Sequence, residues 1–211
     1  MATGNAGKLQ EYRELLAGLP LQLVTPADLG LQDLKVAEDG DSLEANATHK
    51  ARVWAAHSAL PALADDTGLF VDALDGAPGI YPARWGGPGL DMAQRRNKLL
   101  EALGDLPPAQ RSARFVCVIA LAWGARLELA RGEYEGRIAL AEMPGPSGFG
   151  YDSVFIPHDA DRSWAQLPEN VKQRASHRSL AAARIVPALR LLLPELTPSD
   201  DQRMNKGVEN E

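Results

Sequence analysis

The chain has 211 residues, 45% of them apolar and 24% charged, which suits one large soluble globular domain or two lobes sharing a cleft. Its net charge of −6, with no stripe of Lys and Arg, argues against a nucleic-acid surface. The best apolar run, FVCVIALAW at 115–123, is half the roughly 20 residues a membrane span needs, and a single cysteine, Cys117, excludes an internal disulfide.

In chain order, Leu9, Tyr12, Leu15, Leu16 and Leu19 recur at helical spacing and predict an amphipathic helix over 7–18. The opening MATGNAGKLQEY has no basic segment followed by an apolar one, so no secretory signal is expected and the cytoplasm is the expected location. LQLVT (21–25) reads as a short strand. Asp41 or Ser42 can cap a helix of about 15 residues, with Glu44 in its first turn and Leu43, Ala47, Ala51 and Trp54 on one face. PALA and FVDAL read as strand pieces on either side of Asp65-Asp66-Thr67-Gly68, and GAPG and GGPG as turns. Asp91 caps the next predicted helix. Residues 113–123 and 126–140 read as two long strands, the first apolar on both faces and so central, the second broken at Gly132. After a Gly/Pro loop at 144–152 comes a strand at SVFIP, then a helix over 177–193 containing Pro187. The polar stretch 197–211 is expected to be a mobile tail, leaving 1–196 as a single α/β domain with a mixed sheet.

Four stretches can carry chemistry. Thr3-Gly4-Asn5-Ala6-Gly7-Lys8 opens a helix, where free amides and a lysine suit an anion. Its spacing is not that of a Walker A loop, and an ordinary helix start with an exposed lysine reads as well. Glu44, Asp65 and Asp66 offer hard oxygen ligands of the kind Mg²⁺ takes, and a carboxylate beside a metal can accept a proton from water. For Glu44 the competing role is a helix-dipole partner. Two adjacent aspartates are harder to assign to a turn, where one would suffice. Ser147-Gly148-Phe149-Gly150-Tyr151-Asp152 can present an aromatic ring to a flat ligand or simply plug the core, and a serine-hydrolase elbow does not fit the spacing. Lys172, Arg174, His177 and Arg178 gather cations that suit either a site or a solvated turn. Cys117 sits in an apolar run as a buried thiol rather than a nucleophile. Together these describe a nucleoside-phosphate site.

The segments ATGNAGKLQE (2–11), LEANATHKA (43–51), ADDTGLFVDALDGAPGIYPAR (64–84), GFGYDSVFIP (148–157) and SHR (176–178) resemble, in order, the Ham1/inosine triphosphate pyrophosphatase family. The resemblance implies an elongated α/β fold of two lobes around a central mixed sheet, a nucleotide cleft and a homodimer. It also implies Mg²⁺-dependent hydrolysis of ITP, dITP and XTP to the monophosphate and pyrophosphate. On that resemblance Thr3, Gly4, Asn5, Ala6, Gly7 and Lys8 cradle the triphosphate, and Glu44 and Asp66 bind Mg²⁺. Asp66 accepts a proton from the water attacking the α-phosphorus, Asp65 supports it, and Thr67 touches substrate. Phe149, Gly150, Tyr151, Asp152, Lys172, His177 and Arg178 hold the base. Alternatives are a pyrophosphatase of other modified nucleotides and a nucleotide-binding regulator without turnover. In the family a short apolar strand leads into the ATGN turn, whereas here Met1-Ala2 precedes it, so a start further upstream is expected.

Overall fold

A computed structural model describes residues 1–196; the tail expected over 197–211 lies outside the described residues. Helix α1 (Ala6–Leu15) begins where the Asn5 side chain accepts from Lys8 N. Helix α2 (Leu43–Ser58) is capped by Ser42, whose hydroxyl accepts from Ala45 N, and α3 (Met92–Leu103) by a reciprocal Asp91–Gln94 capping box. These local hydrogen bonds satisfy amides that the first helical turn leaves free. Two further helices, α4 (Glu169–Arg174) and α5 (His177–Leu196), close the domain. Pro187 lies inside α5 without ending it. Among the described residues no helix is long and apolar enough to cross a membrane.

The strands are β1 (Ala62–Val71), β2 (Pro78–Gly79), β3 (Ser112–Trp123), β4 (Arg126–Ile138) and β5 (Phe155–Pro157), in the spatial order β2-β1-β3-β4-β5. Every pairing is antiparallel, where a mixed sheet was expected. A tight turn containing Gly124 (φ +55°) joins β3 to β4, a connection that only antiparallel neighbours allow. β3 is central and buried from Phe115 to Ala122, as its two-faced apolar sequence requires. Its odd residues Cys117, Ile119 and Leu121 pack with Leu63 under Tyr12 of α1, Leu16 just past its end, and Ala181, Ile185 and Leu189 of α5. Its even residues Val116, Val118, Ala120 and Ala122 pack under Leu43, Ala47 and Ala51 of α2. A third cluster at one end joins Leu69, Val71, Leu99 and Leu103 to Phe115, Phe155 and Trp164.

Four strand expectations are corrected. Residues 62–71 form one unbroken strand, not two pieces around Asp65-Asp66, because each of the two aspartates pairs with β3, opposite Ile119 and Val118. Gly132 does not break β4; it pairs with Cys117, and a Cβ there would fall 2.1 Å from His177 O and 2.4 Å from Ala181 N. That glycine lets the first turn of α5 lie on the sheet. Residues 21–25 form no ladder; Met1 N donates to Val24 O and Ala2 N to Leu63 O. The strand expected over 153–157 is three residues long.

Candidate functional site

A cleft of about 570 Å³ opens between the start of α1, strand β1, the 80–84 loop and the 149–152 loop, within the size range of small-molecule sites. Alternation along β1 sends its two adjacent aspartates to opposite faces of the sheet, each toward its own cations.

Asp65 points to the α1/α5 face. Its Oδ2 lies 2.9 Å from Lys8 Nζ and 3.5 Å from both Nε and Nη2 of Arg178, and accepts from Thr67 Oγ1 at 3.3 Å. Burial opposes its charge, but Lys8, Arg178 and Lys50 hold its carboxyl well below the usual carboxylate range. It is a permanent anion that fixes three cleft side chains. Cys117 donates weakly to the same oxygen at 3.9 Å. Burial and Asp65 push its thiol up to about 11, so it stays protonated and unreactive.

Asp66 points to the α2 face, where Lys50 Nζ donates to Oδ1 at 3.0 Å and Asn46 Nδ2 to Oδ2 at 3.1 Å. Burial raises its proton affinity in spite of both partners. Lys50 also donates to Glu38 Oε1 at 2.7 Å and to the Asp65 carbonyl at 2.6 Å. Burial weighs against its charge, but Asp66, Asp65 and Glu38 keep it protonated. Thus Asp66 and Glu38 share one ammonium and both line the cleft.

Glu44, the other expected metal ligand, is elsewhere. It stands in the first turn of α2, 42% exposed, with its carboxylate 3.1 Å from Arg131 Nη1 of β4, and is not among the lining residues. Among the described residues no group of three His, Cys, Asp or Glu side chains is arranged to hold a metal. Asp66 with Glu38 is therefore the available donor set. Two carboxylates fit Mg²⁺, which usually takes one or two and completes its shell with water and phosphate oxygens.

At the helix start, Thr3, Gly4, Asn5 and Lys8 line the cleft, whereas Ala6 and Gly7 do not. Gly7 lies under the Phe149 ring, where a Cβ would sit 2.7 Å from Cδ1. Phe149 and Gly150 line the opposite wall, and Lys172 Nζ lies 4.7 Å and Arg178 Cζ 5.7 Å from the Phe149 ring centroid. Asp152 anchors this loop by accepting from Phe149 N and Lys172 Nζ, both at 2.7 Å. Tyr151 turns its ring into the core and donates its hydroxyl to Pro82 O. The His177 ring stacks on Phe115 at 4.7 Å and on Trp164 at 5.3 Å. Burial, with Arg178 and Lys172 beside it, holds it neutral by lowering its pKa well below the usual value. Arg174 does not line the cleft.

The sequence reading missed Glu11, Glu38, Asn46 and Lys50. Glu11 is buried on α1 with one oxygen 2.8 Å from Lys172 Nζ and the other paired with Arg178, so it binds the two cations that flank Phe149. A signal existed: Lys50 and Asn46 fall on the helical face of Leu43, Ala47 and Trp54, where polar side chains stay only if paired. Glu11 likewise follows Lys8 by three residues, beside buried Tyr12.

A family profile described as the Ham1 family matches residues 1–188. A dITP/XTP pyrophosphatase of Thioalkalivibrio sulfidiphilus is 44% identical over 199 residues, covering 93% of this chain and 96% of its own. One from Symbiobacterium thermophilum is 46% identical over 197 residues, covering 92% and 96%. Among solved structures, a HAM1 protein from Coxiella burnetii superimposes with a TM-score of 0.79 at 36% identity, covering 89% of this chain and 95% of that one.

Proposed function

The chain belongs to the Ham1 family, and we propose that its cleft hydrolyses non-canonical purine nucleoside triphosphates, dITP, XTP and ITP, to the monophosphate and pyrophosphate. The relatives named dITP/XTP pyrophosphatase support the reaction and the substrate class. The observation that carries the reading from the site is the division of labour on β1. Asp65 gathers Lys8 and Arg178 on one face, while Asp66 meets Lys50 and Glu38 on the other.

The start of α1 and the Lys8 ammonium receive the triphosphate, since helix amides and a lysine favour anions. A divalent metal is the cofactor that the family suggests, and Mg²⁺ is our assignment, with Asp66 and Glu38 as its protein ligands in place of Glu44. When bound, it neutralises phosphate charge. Asp66 accepts a proton from the attacking water, a role that its burial-raised proton affinity suits. Asp65, held charged, keeps Lys8 and Arg178 aimed at the substrate.

For the base, Phe149 is the platform. The Lys172 ammonium has three protons, and Glu11 and Asp152 engage two. The third serves a 6-keto oxygen, whereas the 6-amino group of adenine would leave it facing another donor. A mismatch of that kind rejects a ligand far more strongly than a missing apolar contact. We assign the protein to the cytoplasm as a homodimer. The test is pyrophosphate release from dITP, XTP, ITP and ATP with Mg²⁺ or a chelator. Metal-dependent release from the first three is expected; metal-independent release, or ATP turned over equally well, would contradict the proposal.

A further inference from the structure

The loop that carries Phe149 is held from two sides. Gly148 (φ +90°) and Gly150 (φ +64°) flank the ring in left-handed backbone, so local preference alone does not fix the ring's aim. From within, Asp152 binds Phe149 N. From outside, Arg96 of α3 donates Nη1 to Gly150 O at 2.9 Å. The same guanidinium donates Nε to Glu142 Oε1 at 2.7 Å, and Ser153 Oγ donates to that oxygen, also at 2.7 Å. Arg96 is 18% exposed and Glu142 30%, so water screens this bridge only in part. Arg96 does not line the cleft, whereas Gly150, whose carbonyl it grips, does. Ser153 and Glu142 lie on the two sides of the loop, so the guanidinium ties Gly150 and Glu142 to α3 directly and Ser153 through Glu142.

We infer that Arg96 is a positioning residue for base binding, braced by Glu142 and Ser153, and that it sets the register of the Phe149 platform against Lys172 and Arg178. The inference rests on Phe149 being the base platform. A planar guanidinium is suited to the task because its fork reaches a carbonyl and a carboxylate together, which an ammonium does less well. The phosphate end of the cleft, at Lys8 and Asp66, has no contact with this bridge. Loss of the bridge therefore weakens what the base end binds and spares what the phosphate end binds.

The experiment compares wild type, Arg96→Ala, Arg96→Lys, Glu142→Ala and the Arg96→Ala/Glu142→Ala double variant with dITP as substrate, and with two inhibitors that report separate ends. IMP reports the base end and tripolyphosphate the phosphate end. Arg96→Ala is expected to raise the KM for dITP and the inhibition constant of IMP about tenfold, the effect of one charge-assisted hydrogen bond. The kcat and the tripolyphosphate constant stay close to wild type. Arg96→Lys recovers part of the loss. Adding Glu142→Ala to Arg96→Ala costs little more, because the two act as one unit. If IMP and tripolyphosphate weaken together, or IMP binding is unchanged, the inference is overturned. Should Arg96→Ala fail to fold, Arg96→Lys carries the same comparison. A wild-type protein that turns over no dITP contradicts the pyrophosphatase reading instead, and calorimetric binding of IMP then decides on Arg96 alone.

Discussion

Replacing His177 with Phe should flatten the pH dependence of stability between pH 7.5 and 5.0. His177 is 3% exposed, packed against the rings of both Phe115 and Trp164, and its Nδ1 has no hydrogen-bond partner among the described residues. Burial is the main force against its protonation; Arg178, Lys172 and Lys8 add to it, and Asp65 opposes them. The folded ring thus stays neutral while the unfolded ring titrates near 6.5. Below that pH the unfolded state binds a proton that the folded state does not. The stabilisation is therefore complete above 6.5 and lost as pH falls. Over the 1.5 units from 6.5 to 5.0, at ~1.36 kcal/mol per unit, the loss is about 2 kcal/mol. Urea unfolding of wild type and His177→Phe at both pH values measures it, and Phe keeps the ring stack. The stability difference between the two proteins should shift by about 2 kcal/mol toward the variant at the lower pH. Other groups titrate in both proteins and cancel. Parallel curves would refute the reasoning, because they would mean that His177 takes up its proton while folded.

Gly132→Ala should lower the melting temperature strongly, since the new methyl meets the backbone of α5 rather than a movable side chain. An overpacking cost of roughly 3 kcal/mol corresponds to about 6–12 °C for a chain of this size, and a drop under about 2 °C would contradict the packing described. Glu38→Gln should raise the Mg²⁺ concentration for half-maximal activity about tenfold or more, because one of the two carboxylates assigned to the metal is lost. Glu44→Gln should leave it within about twofold, as for an exposed ion pair. The reverse ranking in a metal titration would return the ligand role to Glu44.

The helices and the long central strand were legible because their signals are local. Asn5, Ser42 and Asp91 cap where their hydrogen bonds need only the next three residues. The Asp65-Asp66 pair reads as an interruption between two strand pieces for the opposite reason. Two carboxylates in mid-strand are tolerable only because α1 and α5 bring Lys8 and Arg178 to one face and α2 brings Lys50 to the other. Those cations lie up to 113 residues away along the chain. Gly132 likewise reads as a strand break until α5 is seen against it. The expected cleft residues Thr3, Gly4, Asn5, Lys8, Asp65, Asp66, Thr67, Phe149, Gly150, Tyr151, Asp152, Lys172, His177 and Arg178 do come together. What the sequence concealed was their bracing. Glu11 sits between Lys172 and Arg178, and Lys50 between Asp66 and Glu38, and both pairings exist only in three dimensions.

The most direct measurement is pyrophosphate release from dITP by Asp66→Asn beside wild type, with nucleotide binding followed in both. Asn keeps the size of the side chain and its oxygen can still accept from Lys50, at the cost of the hydrogen bond from Asn46, but it accepts no proton from water. The account predicts a fall in kcat of about a thousandfold or more, near the middle of what a positioned general base contributes, while the protein stays folded and still binds dITP. Turnover within about tenfold of wild type would contradict Asp66 as the centre of the chemistry.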